Sequence, residues 1–168
     1  MASTGKSTKS IAGTFNPKGA CVVLIRTEWN KDLLDELEKG CQKILNKAGV
    51  KKVVVLEVPG AVEIPFAIKK YWDKTNKTSH KPHAFIALGT IIKGDTPHFD
   101  YVCNMVSDGV SQLNLLLPVP TIFGVLTVNT KKQAIERIGG KHGHKGEEAA
   151  DAALKMIQLS KHIHNLSL

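Results

Sequence analysis

The residues most able to do chemistry lie in the segment from Gly89 to Phe99, which follows an apolar stretch ending at Leu88. A helical pattern begins near Asp100, so this segment predicts a strand that ends in a glycine-flanked turn and leads into a helix. Such a turn presents free backbone N–H groups at the positive end of a helix dipole, which favours an anion. Thr96 adds a hydroxyl and His98 a titratable imidazole. The combination predicts an enzyme that acts on a small phosphorylated substrate.

Two earlier strand ends carry candidates for binding a planar ligand. Trp29 and Asn30 follow the first apolar run, where the indole can stack on a heterocycle and the amide can donate a hydrogen bond or cap the next helix. A packing tryptophan with a capping asparagine explains the pair equally well. Glu63 lies in the segment Pro59–Pro65 after the second run. Its carboxylate can accept hydrogen bonds from ligand hydroxyls or serve as an acid in a first helical turn.

Cations that suit a phosphate come later in the sequence. Arg137 has the fork geometry that binds phosphate through two hydrogen bonds, and Lys145 follows eight residues later. An exposed helical pair with its neighbours Gln133 or Lys141 is the alternative for Arg137. Phe123, within the fourth apolar run, can line a ring or pack in the core.

His98 and Asp95 each have a plainer interpretation. A lone histidine is more often a hydrogen-bonded structural residue, although a position beside a phosphate site favours proton transfer. Asp95 would repel a phosphate, so we expect its side chain to point away and only its backbone N–H to face the ligand. The two His-X-His pairs near the carboxyl terminus lack a carboxylate or cysteine that would complete a ligand set, and no metal is expected.

Four near-continuous apolar runs predict buried parallel strands separated by helices. The predicted strands are Ala20–Ile25, Val53–Val58, Ala84–Leu88 and Val119–Thr127. Helical patterns cover about Leu33–Ala48 with Gly49 as the stop, Phe66–Lys77, Tyr101–Leu113, Thr130–Ile138 and Glu147–His162, with a glycine-rich linker at Gly139–Gly146. This alternation predicts an α/β sandwich around an open parallel sheet, whose ligands bind at the carboxyl ends of the strands.

Composition limits the remaining classes of function. The 168 residues, 42% of them hydrophobic, predict a single domain over residues 18–168 after a mobile N-terminal tail over residues 1–17. No apolar run reaches the roughly 18 residues of a membrane helix, and no secretory signal is present. The net charge of +8 comes from scattered lysines with few aromatics, which argues against nucleic acid. Cys21, Cys41 and Cys103 show no metal spacing and are predicted to be reduced core residues of a cytoplasmic protein.

Taken in order, the candidate segments resemble the lumazine synthases, the enzymes that make 6,7-dimethyl-8-ribityllumazine in riboflavin biosynthesis. The matching segments are Trp29-Asn30, Pro59–Pro65, Gly89–Tyr101, Phe123–Thr127, and Glu136-Arg137 with Lys145-Gly146. The resemblance implies a flavodoxin-like three-layer sandwich with a central parallel four-stranded sheet. It also implies a homopentamer with active sites between neighbouring subunits, in which the N-terminal segment can add to a neighbouring subunit. Some members of the family pack such pentamers into a 60-subunit shell.

The resemblance also implies a role for each matching residue. It assigns substrate binding to Trp29, which stacks on the pyrimidine, and to Asn30 beside it. The backbone of Thr90, Ile91 and Ile92 pairs with the pyrimidine, Phe123 closes over the ring, and Ala61, Val62 and Glu63 hold the ribityl chain. Asp95, Thr96 and Arg137 bind the phosphate with Lys145 as a supporting cation, and His98 transfers protons. The family condenses 5-amino-6-(D-ribitylamino)uracil with 3,4-dihydroxy-2-butanone 4-phosphate. The substrate supplies its own amine for imine formation, so no metal or organic cofactor is called for.

Two other classes of function remain as alternatives. A non-catalytic flavin- or lumazine-binding relative would use the same pocket, but it needs no proton shuttle, whereas both His98 and Arg137 are present. A nucleotide-binding or signalling module predicts a glycine-rich phosphate loop after the first strand, and Thr27–Asn30 contains no glycine. The synthase is therefore the preferred interpretation.

Overall fold

The computed structural model of the protein describes residues 17–166, which form strands and helices in alternation. The strands of the main sheet are β1 (Cys21–Thr27), β2 (Lys52–Val58), β3 (Ala84–Ile92) and β4 (Thr121–Val128). The helices are α1 (Lys31–Lys47), α2 (Ile64–Thr75), α3 (His98–Leu116), α4 (Lys131–Ile135) and α5 (Lys145–His164). A small antiparallel hairpin of β5 (Ile138–Gly140) and β6 (Gly143–His144) precedes α5, and short 3₁₀ turns occupy Pro17–Gly19 and Ala61–Glu63.

The main sheet is parallel, with the strand order β2-β1-β3-β4. This is the flavodoxin-like order, so the predicted fold class is confirmed. The chain runs outward from β1 to β2 and then returns to the other side of β1 to form β3. The reversal creates a switch point between β1 and β3, where open α/β sheets bind their ligands outside the carboxyl ends of the strands.

Two apolar clusters cover the two faces of the sheet, which is why the strands read as continuous apolar runs. On one face, Leu24 and Ile86 pack with α1 and α5. On the other face, Ile25 and Phe85 pack with α2 and α3. Every residue of β1 is buried. The sheet is therefore a rigid support for the loops at its carboxyl edge.

Small residues allow α5 to approach the sheet closely. Ala149, Ala150 and Ala153 of α5 are buried. At Gly124 of β4, an added Cβ would lie 2.7 Å from the carbonyl oxygen of Ala87 and 3.3 Å from the Cβ of Ala149. A side chain at this position would push α5 and β4 apart.

Several boundaries differ from the predictions for identifiable reasons. Strand β4 begins at Thr121 rather than Val119, because Pro118 and Pro120 have no N–H to donate to a ladder. Helix α3 begins at His98 rather than near Asp100, so the imidazole belongs to the first helical turn. The glycine-rich linker is not a simple turn but forms the β5–β6 hairpin.

Other features agree with the sequence or fall outside the structure. Gly49 follows α1 with a φ of 87°, the left-handed conformation expected of a helix stop. The tail predicted over residues 1–17 lies outside the described residues except for Pro17. Within residues 17–166, no helix is long and apolar enough to cross a membrane.

Candidate active site

A pocket of about 680 Å³ opens at the carboxyl ends of β1, β2 and β3, at the switch point of the sheet. We call it the switch-point pocket. It is lined by Thr27, Trp29, Asn30, Gly60, Ala61, Val62, Glu63, Thr90, Ile91, Ile92, His98, Tyr101, Val102 and Met105. Nine of these residues are candidates from the sequence: Trp29, Asn30, Ala61, Val62, Glu63, Thr90, Ile91, Ile92 and His98. Their convergence follows from strand order, because parallel strands end at the same edge.

The loop between β1 and α1 presents an exposed indole. Trp29 is 72% exposed, so it does not pack in the core of this chain. Asn30 occupies the N-cap position of α1, but its side chain makes no capping hydrogen bond. Instead, its Nδ2 donates to the carbonyl oxygen of Thr90 at 3.1 Å. The alternative of a packing tryptophan with a side-chain cap therefore does not describe this loop.

The turn after β2 places a carboxylate beside the indole. A Cβ built on Gly60 would lie 3.0 Å from a carboxylate oxygen of Glu63 and 3.9 Å from the Trp29 ring. Glu63 precedes α2 at its N-cap position without making a side-chain cap. Because Gly60 has no side chain, the carboxylate and the ring border the same open space. Glu63 is exposed and available to accept hydrogen bonds from a ligand.

The turn between β3 and α3 combines an uncapped helix start with an imidazole. Pro97 is the N-cap residue of α3 and supplies no side-chain acceptor, so the first N–H groups of the helix are open to an anion. His98 is exposed, lines the pocket, and has no hydrogen-bond partner for its ring among residues 17–166. Asp95 and Thr96 are exposed on this turn but do not line the pocket.

One face of α3 contributes pocket residues that the sequence analysis missed. Tyr101, Val102 and Met105 follow His98 at helical spacing and line the same cavity. The apolar stripe of α3 begins at Tyr101, yet Tyr101 is 68% and Met105 56% exposed. Only the later part of the stripe, including Val106, Val110 and Leu113, is buried. The spacing from His98 was the available signal.

Besides Asp95 and Thr96, three candidates do not line the pocket: Phe123, Arg137 and Lys145. Phe123, on the edge strand β4, is partly buried against the α2–α3 side of the core. Lys145 begins α5, and its backbone N–H donates to the carbonyl oxygen of Arg137 at 2.7 Å. The structure therefore groups Arg137 and Lys145 with each other at the hairpin, but not with His98.

Arg137 has an ionic partner that the sequence analysis did not identify. Its two terminal nitrogens donate to the two carboxylate oxygens of Glu148 at 2.9 and 2.8 Å, and one of them also donates to the carbonyl oxygen of His142. The hydrogen bond from Arg137 is the main reason that the pKa of Glu148 is lowered, despite partial burial, with further contributions from the charges of Arg137 and Lys145. The proposed neighbours Gln133 and Lys141 are engaged elsewhere, with the N–H of Asn129 and with Glu136.

The charges that line the pocket are unusual for a site expected to receive a phosphate. Glu63 and His98 line it, but no lysine or arginine among residues 17–166 does. Among residues 17–166, no group of three or more His, Cys, Asp or Glu side chains is arranged to hold a metal ion. The chemistry available within one chain is therefore ring stacking, backbone hydrogen bonding, carboxylate acceptance and proton transfer.

Comparison with known proteins places these features in a family. The family described as 6,7-dimethyl-8-ribityllumazine synthase matches residues 19–161, which include every strand and loop of the pocket. A relative of that name from Parabacteroides distasonis is 42% identical over 139 residues, covering 82% of this chain and 84% of the relative. Another from Porphyromonas gingivalis is 46% identical over 136 residues, covering 80% and 81%. A third, from Cytophaga hutchinsonii, is 39% identical over 160 residues, covering 94% and 98%.

Proposed function

This chain belongs to the 6,7-dimethyl-8-ribityllumazine synthase family, and we propose that it carries out the family's reaction in the switch-point pocket. It is a transferase of riboflavin biosynthesis that condenses 5-amino-6-(D-ribitylamino)uracil with 3,4-dihydroxy-2-butanone 4-phosphate, with release of phosphate and water. The observation that supports this location is the gathering of nine predicted site residues around one cavity.

The pyrimidine is held between the Trp29 ring and the exposed edge of β3. Strand β3 pairs with β1 only as far as Leu88, whereas its pairing with β4 continues to Ile92. The backbone groups of residues 89–92 that face β1 therefore have no strand partner, and they can pair with the polar edge of a pyrimidine. The Glu63 carboxylate accepts hydrogen bonds from hydroxyls of the ribityl chain.

Proton transfer is assigned to His98, and anion binding to the N-terminus of α3. The pyrimidine supplies the amine that forms the imine with the butanone, so the protein needs no nucleophile of its own. Holding the two substrates together can lower the barrier by roughly 7–11 kcal/mol at the ideal limit. An imidazole in reach of the reacting atoms typically adds about 10²–10⁴-fold. The uncapped N–H groups stabilise the charge of the departing phosphate.

A second copy of the chain is proposed to complete the site. In the described part of the chain no lysine or arginine lines the pocket, yet one substrate carries a phosphate. Arg137 and Lys145 lie together at the β5–β6 hairpin, which packs against α1 on the face of the sheet opposite to α3, and a neighbouring subunit can bring them to this pocket along with Phe123. Exposed apolar side chains on α2 and α3, such as Phe66 and Leu115, offer the surface that such a contact would bury. These features support the homopentamer implied by the family resemblance.

The Glu148 contact sets how Arg137 would meet a phosphate. Both terminal nitrogens of the guanidinium already donate to Glu148, which fixes its plane. Arg137 can then bind a phosphate of the neighbouring site by donating its Nε–H to a phosphate oxygen. Lys145, whose Nζ lies 4.0 Å from the same carboxylate, supports the positive charge.

Assembly beyond the pentamer and location in the cell are also proposed. In the family that the chain resembles, shell-forming members have a short linker between the last two helices, whereas many free pentamers carry an insertion there. The short β5–β6 hairpin of this chain therefore favours a 60-subunit shell over a free pentamer, and sedimentation in phosphate buffer distinguishes the two. A cytoplasmic location is supported by the three free cysteines. Burial raises the pKa of Cys41 to about 12, with a smaller effect from Glu38, so this thiol stays protonated.

The decisive experiment is to incubate the purified protein with both substrates and to follow lumazine absorbance and phosphate release. Both signals should appear together and depend on both substrates. A protein that binds the pyrimidine tightly but releases no phosphate would instead be the non-catalytic relative.

A further inference from the structure

Asn30 has an unusual backbone and an unusual hydrogen bond. Its φ of 57° and ψ of 47° lie in the left-handed region, and it is the only non-glycine residue with a positive φ among the described residues. Its carbonyl oxygen accepts from the N–H groups of Leu33 and Leu34 at 2.9 and 3.0 Å and so begins α1. Its side-chain amide makes no cap and instead donates to the carbonyl oxygen of Thr90.

The bond to Thr90 spans the place where two strands separate. The ladder between β1 and β3 ends at the pair Arg26–Leu88. On the other side of β1, the chain still holds to β2, because Glu28 donates its N–H to the carbonyl oxygen of Val58 at 2.9 Å. Beyond that point, the Asn30 amide is the link that the structure shows between the β1–α1 loop and the end of β3.

Asparagine meets both requirements of this position. It tolerates the left-handed region better than most residues, because its short polar side chain costs little there. Its Nδ2 is a donor, which aspartate lacks, and glycine has no side chain at all. A carbonyl oxygen can accept two hydrogen bonds, so the one from Asn30 leaves the second site of Thr90 free for a ligand.

We propose that Asn30 is a positioning residue. Its hydrogen bond to Thr90 holds the loop that carries Trp29 against the end of β3 and so fixes the distance between the Trp29 ring and the backbone groups of residues 89–92. This inference rests on the proposed function of the pocket, and it gives Asn30 a role through Trp29 and Thr90 rather than through direct contact with substrate. Trp29 needs such a constraint, because an indole that is 72% exposed has little packing to hold it. The consequence is that the site is organised before the pyrimidine arrives.

The test uses Asn30→Asp, which keeps the size and the backbone preference but removes the donor, and Asn30→Gly, which keeps only the backbone preference. We expect both variants to lose roughly 5- to 100-fold in kcat/KM for the pyrimidine, the range for breaking one such hydrogen bond. The KM for the butanone phosphate should change little. Asn114→Asp is the matched control, because the Asn114 amide also donates to a strand carbonyl, that of Thr121, at 2.8 Å and far from the pocket.

A second measurement needs no substrate. In a Trp72→Phe background Trp29 is the only remaining tryptophan, and its time-resolved fluorescence anisotropy reports the motion of the loop. Both Asn30 variants should show added fast motion, and Asn114→Asp should not. Unchanged anisotropy would mean that Asn30 acts only on bound ligand. Altered anisotropy with an unchanged kcat/KM for the pyrimidine would mean that the spacing is unimportant. Either result overturns the proposal. If the parent enzyme formed no lumazine, the proposed function would fail. The anisotropy would still test whether the hydrogen bond from Asn30 to Thr90 holds the Trp29 loop in place.

Discussion

His98 is the residue on which the proposed chemistry depends most. Its imidazole is exposed at the start of α3, has no partner among residues 17–166, and faces the pocket that Trp29 and Glu63 also border. A structural histidine would be expected to be buried and hydrogen-bonded. The position instead suits a group that exchanges protons with a bound molecule, since water and ligand can both reach it.

His98→Ala should fold normally and lower kcat by about 10²–10⁴-fold, because it removes proton transfer while the substrates are still held together. Both KM values should change much less. The measurement is steady-state lumazine formation, with circular dichroism to verify folding. His162→Ala, which removes an exposed imidazole on the last turn of α5, is the control and should be fully active. An unchanged kcat in His98→Ala would remove this residue from the mechanism.

At the scale of elements, a reciprocal contact holds the amino ends of β1 and β3 together. The N–H of His83 donates to the carbonyl oxygen of Cys21 at 2.7 Å, and the N–H of Cys21 donates to the His83 Nδ1 at 3.0 Å. The second bond requires an unprotonated Nδ1. Burial lowers the pKa of His83, and the charges of Lys161 and Lys81 lower it further. Neutral His83 therefore stabilises the sheet at the end opposite to the pocket.

This contact predicts a pH dependence of folding. Because the folded-state pKa of His83 lies below its ordinary value of about 6.5, the stabilisation is fully present above that value and is lost as the pH falls through the folded pKa. His83→Gln should therefore be less stable than the parent at pH 7.5, by roughly 0.5–1.5 kcal/mol. The difference should shrink as the pH falls through the folded-state pKa of His83, because protonation of Nδ1 then removes the acceptor for the Cys21 N–H from the parent as well. Urea unfolding at pH 7.5 and at a series of lower pH values measures it, and a difference that stays constant or grows at low pH would contradict the assignment.

The sequence predicted elements well where one rule dominated and less well where several competed. Buried parallel strands produce long apolar runs, so all four strands of the main sheet were found. The predicted start of β4 at Val119 was too early, because apolar Val119 continues the apolar run although Pro120 has no N–H to donate to the ladder. Tyr101 and Met105 were not predicted to line the pocket, because the apolar periodicity of α3 shows which residues share a face but not where the core ends along that face.

The candidate site was predicted from strand ends, and this logic has a clear limit. It located Trp29, Glu63 and His98 around one cavity, because parallel strands finish at a common edge. It could not reveal that Asn30 bonds to Thr90, which lies 60 residues away in the sequence. It also could not reveal that Arg137 bonds to Glu148, because the β5–β6 hairpin that brings them together was not predicted. It also could not show that the cations lie outside the pocket of their own chain.

At the scale of the whole molecule, the separation of His98 from Arg137 leads to the strongest test of a shared site. If each site takes His98 from one subunit and Arg137 from its neighbour, then His98→Ala and Arg137→Ala damage different sides of the same interface. Each variant alone has only damaged sites. When the two are unfolded or dissociated together in equal amounts and reassembled, about one quarter of the interfaces should combine an intact His98 with an intact Arg137.

The mixed assembly should therefore recover up to about a quarter of the parent activity, far above either variant alone. Lumazine formation measures the recovery, and sedimentation shows that mixed rings have formed. The two variants mixed without dissociation, and each variant taken through the same cycle by itself, are the controls and should stay near their initial low activity. If Arg137 served the pocket of its own chain, every subunit in the mixture would still lack one of the two groups. The reassembled mixture would then be no more active than the average of the variants, and the shared site would be ruled out.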